Sequence, residues 1–239
     1  MVLWNRPVAE AVRALAEAGF EAVEIWHEHL QHSGERTAAV AAALADSGLA
    51  CTVHCPIIDV NICSTNPVMA EASLGQYLSA LETAAELDAR VFVFHPGNLF
   101  SAWDPLDAYW QRLAACLRRA LEANRAPLQV VVENMEADKA NEVVKNAADL
   151  ARVLGSAASA GAVPAGSARA GVCWDTTHLI TNQANEQFLA AVARVDHVHL
   201  SDASLGPDGA ARKHLRLGRG ELDLRRLLAH PKAREASIV

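Results

Sequence analysis

Apolar runs of four to six residues recur along the whole chain, each followed by a stretch with helical spacing. Strands of that length, rich in Val, Ile and Phe and separated by amphipathic helices, belong to a parallel α/β sheet covered by helices. Met1–Trp4 reads as a short first strand, and Val8, Val12 and Leu15 behind Pro7 mark a helix that Gly19 closes. Ala22–Ile25, Ala50–His54, Val91–His95, Gln129–Glu133, Ala170–Asp175, Val195–Leu200 and Ala236–Val239 follow as strands. Between them lie helices at Thr37–Ser47, from Pro67 onward (Leu74, Leu78, Leu81 and Ala85 on one face) and through Leu106, Trp110, Leu113 and Leu117. Further helices are predicted at Ala140–Leu154, Asn185–Ala193 and Leu222–Leu228, with Gly155–Arg169 as a Ser, Ala and Gly-rich loop.

Eight strands alternating with helices predict a (β/α)8 TIM barrel within the α/β class, incomplete at its N- and C-terminal ends. The alternative, a doubly wound open sheet, lacks support because no GxGxxG or GxxxxGK[ST] loop follows a strand. One domain over residues 1–239 is expected, with 51% hydrophobic residues for its core. No run approaches the roughly 20 apolar residues of a membrane helix, and no secretory signal opens the chain, so cytoplasm is the expected location. The five cysteines, Cys51, Cys55, Cys63, Cys116 and Cys173, form no CxxC pair and are expected to be reduced. A net charge of -7 counts against a nucleic-acid partner without excluding one, and the oligomeric state is left open.

A barrel carries its chemistry at the C-terminal ends of its strands, and those ends are polar here. Successive strands stop at His54, His95, Glu133, Asp175 (with His178 three residues on) and His199 (with Asp202 three residues on). One such residue could be the first solvated position of its strand, whereas five in succession point to convergent imidazole and carboxylate ligands. That donor set suits a divalent ion such as zinc or manganese rather than a structural zinc-thiolate cluster. His27, His29 and His32 crowd one loop, but density without convergence from several elements is a weak metal signal. Trp103 could line a sugar pocket, while Trp110 fits the apolar face of its helix. His197 shares a face with His199 one layer lower and is expected to hydrogen-bond a neighbour.

The runs VHCPIIDVN (from Val53), FHPG (Phe94), VVENM (Val130), WDTTH (Trp174), HVHLSDA (His197) and HLRLGRGELD (His214) resemble the xylose isomerase-like barrel superfamily. That superfamily holds sugar and sugar-phosphate isomerases and epimerases alongside endonuclease IV. The resemblance implies metal ligation by His54, His95, Glu133, Asp175, His178, His199 and His214. It departs in two places: Arg212 stands where endonuclease IV has an Asp, and the closing Glu of strand eight would fall just beyond Val239. Fewer than three ions per chain are therefore expected.

The leading expectation is a divalent-metal-dependent isomerase or epimerase acting on a sugar or sugar phosphate through an enediolate. Glu133 would be ligand and catalytic base, and Lys213 and Arg216 would bind a substrate phosphate or carboxylate. The alternatives are an endonuclease IV-like apurinic endonuclease and a non-catalytic metal- or sugar-binding barrel. Against the endonuclease stand Ile57 and Ile58, where that family places the aromatic and aliphatic residues that penetrate DNA.

Overall fold

The computed structural model describes residues 3–101, 103–158 and 170–239. In chain order the elements are α1 (Val8–Glu17), β1 (Ala22–Trp26), α2 (His27–Ser33), α3 (Thr37–Ser47), β2 (Ala50–His54), α4 (Pro67–Glu86), β3 (Val91–Phe94) and α5 (Leu106–Ala123). They continue with β4 (Gln129–Glu133), α6 (Ala147–Ala158), β5 (Ala170–Asp175), α7 (Asn182–Ala191), β6 (His197–His199), β7 (Asp202–Leu205), β8 (Ala211–Leu215), α8 (Leu224–Leu228) and β9 (Ser237–Ile238).

Seven strands form one parallel sheet in the order β1-β2-β3-β4-β5-β6-β9. In a flat sheet β1 and β6 would lie about 24 Å apart, five spacings of roughly 4.8 Å. Yet Glu24 of β1 stands 3.1 Å from both His197 and His199 of β6, so the sheet curls into a barrel wall. Alternation sorts the side chains. Phe92, Phe94, Val130, Val132, Trp174 and Val198 point outward into the main core under the helices. Val91, Val93, Val131 and Cys173 point inward and form a separate small cluster. The positions two residues further along the inward rows of β4 and β5 are Glu133 and Asp175, which places the polar layer directly above this apolar plug.

The structure corrects the sequence reading in several places. Leu3, Trp4 and Asn5 form a turn, with the Arg6 amide donating to the Leu3 carbonyl at 3.0 Å, so the expected strand at Met1–Trp4 does not form there. Met1 and Val2 lie outside the described residues, as do residues 159–169 of the expected loop. The helix expected at Ala140–Leu154 starts seven residues later, at Ala147, because Asn146 Oδ1 caps it by accepting from the Ala148 and Asp149 amides at 2.9 and 3.1 Å. His27, His29 and His32 sit on the short α2, not on a loop. An unexpected antiparallel hairpin, β7–β8, follows β6 outside the barrel sheet. No helix among the described residues is long and apolar enough to cross a membrane.

Candidate metal centre

Glu133 is the hub. Its side chain is 2% exposed, and its two oxygens face different neighbours. Oε2 lies 2.6 Å from His95 Nε2 and 3.7 Å from His54 Nε2. Oε1 accepts from His199 Nδ1 at 2.9 Å and lies 3.6 Å from His178 Nδ1. Burial alone would push the Glu133 carboxyl up; the neighbouring His199 and His95 outweigh it and hold it well below the usual carboxylate range. For His199 the direction is reversed: burial disfavours its charged form, but the Glu133 and Glu24 carboxylates outweigh it and raise it well above an ordinary imidazole.

The surrounding backbone fixes which ring nitrogens are free. His54 Nδ1 is 2.7 Å from the Cys55 carbonyl and His178 Nδ1 is 2.7 Å from the Asn134 carbonyl. A carbonyl only accepts, so both Nδ1 atoms carry protons and the Nε2 lone pairs are left for another partner. Trp26 stacks on the His54 ring at 4.7 Å, closing one side. Asp175 is held as firmly: its Oδ1 accepts from the Thr177 amide (2.7 Å), the Thr177 hydroxyl (2.8 Å) and the His178 amide (3.1 Å). Buried Asn134 clamps the Asp175 backbone from both ends, accepting from its amide at 2.9 Å and donating to its carbonyl at 3.3 Å.

Among the described residues, four clusters bring three donor atoms each to within 4.8 Å: His54, His95 and Glu133; Glu133, Asp175 and His178; Glu24, His54 and His199; and Glu136, His178 and His214. A fifth pairs Cys173 with Glu133 and His199, and burial first of all pushes that thiol up to about 12. The residues present fit a divalent ion. His95 Nε2, Glu133 Oε2 and His199 Nε2 are buried without an aligned hydrogen-bond partner although they face other polar atoms, an arrangement costly unless a cation is shared among them.

All seven sequence-derived ligand positions occupy this end of the barrel. His54, His95, Glu133, Asp175, His178 and His199 form its interior, and His214 stands at the exposed rim, its Nδ1 3.3 Å from the Thr177 hydroxyl. Lys213 is engaged within the protein, its Nζ lying 2.7 Å from both Glu136 and Asp138. Arg216 is exposed on the turn after β8, and Arg212 is exposed two residues before His214. Asp202 turns away to receive the Ala203, Gly218, Gly220 and Leu222 amides and joins none of the donor clusters. His197 is fully buried between Ser237 and Glu24. His29 and His32 stack on Trp4 instead of converging on a site. Trp110 is 8% exposed and carries Arg152 over its ring, while Trp103 is 92% exposed.

Sequence reasoning missed Glu24 and Glu136. Glu24 follows the inward alternation of β1, and an acid in the middle of an otherwise apolar five-residue strand was its signal. Glu136 lies three residues after Glu133, in the loop that meets the hairpin.

Two loops around the mouth are tied together. Asn61 Oδ1 accepts from the Cys63 and Asn98 amides at 3.0 and 3.2 Å, and its Nδ2 donates to the Asn98 carbonyl at 2.9 Å. Gly97, at φ +70°, passes so close that a Cβ there would lie 2.7 Å from Asn61 Oδ1.

Comparison with known proteins agrees with this architecture. The profile described as Xylose isomerase-like TIM barrel matches residues 12–234. A probable endonuclease 4 of Mycobacterium ulcerans is 27% identical over 235 residues, covering 95% of this chain and 86% of the relative. Another, of Mycoplasmoides gallisepticum, is 28% identical over 198 residues, covering 77% of this chain, which spans 61% of that relative's length. The crystal structure of a D-tagatose 3-epimerase-like protein superposes with a TM-score of 0.78 at 20% identity, over 97% of this chain and 86% of that one, a likeness of fold. By the match over most of its length and by its curled parallel sheet, the chain belongs to the xylose isomerase-like TIM barrel family.

Proposed function

We propose that the chain is a divalent-metal-dependent phosphodiesterase acting on DNA at abasic sites, in which Glu133 would be shared between two sets of metal-holding residues. The observation that carries this reading is the division of labour at Glu133: one oxygen faces His54 and His95, the other His178 and His199. Together with Asp175 these donors exceed what a single four- to six-coordinate ion uses. Divalent ions held by these residues would supply the positive charge that phosphodiester hydrolysis needs. The similarity to two probable endonucleases 4 supports the same reading.

The chain's own contribution is orientation. The Cys55 and Asn134 carbonyls hold His54 and His178 with Nε2 free, and Thr177 fixes Asp175 with one oxygen left to bind. Burial excludes water from Glu133, so its charge acts at low dielectric. Arg212 places a cation where a third site would need an anion, and two ions per chain are the expected complement.

A second reading, an isomerase or epimerase on a sugar or sugar phosphate, is favoured by one observation. Glu133, Asp175 and His199 alone make a compact single-ion set, with His199 Nδ1 2.9 Å from Glu133 and 3.9 Å from Asp175, on a fold shared with a D-tagatose 3-epimerase-like protein. Incubation of the zinc- or manganese-loaded chain with an abasic oligonucleotide and, separately, with a panel of ketoses and ketose phosphates decides between them. Chelator-sensitive nicking with inert sugars is expected. Sugar turnover with the oligonucleotide intact would overturn the phosphodiesterase reading.

A further inference from the structure

His54 and His95 follow neighbouring strands, and one buried residue, Cys55, contacts both. β2 and β3 pair in parallel with His54 opposite Val93, and the ladder runs on past the strand ends, where the Cys55 amide donates to the Val93 carbonyl at 3.0 Å. In that pattern the next bond would join the His95 amide to the Cys55 carbonyl. The carbonyl is turned instead to His54, whose Nδ1 lies 2.7 Å away. The His95 amide donates to the Cys55 sulfur, at 3.3 Å. A thiol has taken the place of a backbone acceptor at the point where the strand gives way to the site.

The His95 main chain is held at its carbonyl as well, by the Tyr77 hydroxyl of α4, which donates to it at 3.3 Å. Tyr77 is buried and its ring meets Phe94 edge-on at 5.2 Å, so the hydroxyl is itself fixed in place. Cys55 is fully buried, which removes water as a competitor for its sulfur. We infer that Cys55 is a positioning residue for both histidines. Its carbonyl orients the His54 ring with Nε2 free, and its sulfur seats the backbone from which the His95 ring reaches Glu133 Oε2 at 2.6 Å. An aliphatic side chain at this position has no acceptor, and two donors would then converge on one carbonyl. Cys55 acts from outside the ligand set, as an outer partner of two ligands at once. Cysteine spacing in the sequence does not reveal such a role.

This rests on the metal-site reading above, and the test separates the two. Amide hydrogen exchange and long-range proton–nitrogen spectra are recorded on the metal-free 239-residue chain, for the parent, Cys55→Ala and Cys55→Ser. Zinc alone is then titrated into each in competition with a chromophoric chelator. The parent is expected to show a protected His95 amide and a His54 ring protonated on Nδ1. In Cys55→Ala the His95 amide should exchange about tenfold faster while the β3 amides before it keep their rates, and zinc should bind about tenfold more weakly. Cys55→Ser keeps an acceptor on the same carbon and should bring both readings back to within about threefold of the parent, a rescue that a merely space-filling role would not produce. An unprotected His95 amide in the parent, a His54 ring protonated on Nε2, or a folded Cys55→Ala within about twofold of the parent on both readings would overturn the role of Cys55 alone. The parent spectra decide the matter even if neither variant folds. A parent chain that binds no zinc would overturn the site reading, and the metal-free exchange and ring spectra would still decide whether Cys55 seats the two histidines.

Discussion

The inner and outer halves of the centre are built by different means. The inner half, His54, His95 and Glu133, hangs from the ends of β2, β3 and β4, where register between neighbouring parallel strands sets each position. The outer half, Glu136, His178 and His214, is assembled from two loops and the β7–β8 hairpin, and Lys213 pins the hairpin to the β4–α6 loop through Glu136 and Asp138. Sheet register makes the inner half rigid at the cost of accommodating little. The placement of the outer half depends instead on ion pairs that a single substitution can remove.

Glu133 belongs to both inner and central donor sets, so its loss is expected to have the largest effect. Glu133→Gln should weaken zinc binding beyond the roughly 10–100-fold that removal of an outer hydrogen-bond partner costs, and abolish turnover. Calorimetric titration checks this, and retention of both ions would dissolve the distinction between the halves.

Asn134 tests how far Asp175, the ligand candidate at the end of β5, depends on one neighbouring side chain. Asn134→Ala leaves the buried Asp175 amide and carbonyl without their clamp, and should cost about 2–3 kcal/mol in denaturant unfolding. A loss below half a kcal/mol would mean that Asp175 is held by Thr177 alone.

For the outer half, Lys213→Met should cost about 1–2 kcal/mol at neutral pH, with a defined pH dependence. Burial pushes the Glu136 carboxyl up, but Lys139 and Lys213 outweigh it and leave it below its ordinary value. A depressed carboxyl stabilises the fold above its unfolded pKa of about 4.3, and that contribution is lost as pH falls through the lower folded value. The difference between parent and variant should therefore be level from about pH 5 upward and shrink below about pH 4. A difference growing on acidification would refute the assignment.

The smallest effect is expected from His214→Ala, because that ring is exposed and shares its cluster with Glu136 and His178. Zinc stoichiometry should stay at two ions per chain and zinc affinity within about threefold of the parent, readable by the same titration; loss of an ion would bring His214 into the ligand set.

The contrast between the halves also marks where the sequence is readable. Val91–Phe94 and Gln129–Glu133 announce themselves because a strand buried on both faces must be apolar until it meets the mouth, so the first polar residue names the site. The hairpin was missed since Ala211–Leu215 has no apolar alternation, its burial being intermediate at best. The Gly-Pro-Asp-Gly turn at 206–209 was the available signal, with Gly209 at φ +75°. Glu24 was passed over for the opposite reason: an acid amid apolar neighbours reads as solvent-facing until the curl of the sheet carries β1 to β6.

The tie between Gly97 and Asn61 restricts how this mouth can be altered by substitution. The loops that follow His54 and His95 meet at a point where one residue has no side chain and the other fills the vacated space with an amide bonded to both strands' continuations. Neither loop is then free to be exchanged alone: a side chain at position 97 would meet both Asn61 and Cys63 on a backbone at φ +70°, and a smaller residue at 61 forfeits the bonds that seat Asn98. Redesign of substrate preference at this mouth is a two-loop problem, and libraries that vary the loops jointly are expected to yield folded, metal-competent members where single-loop libraries yield few.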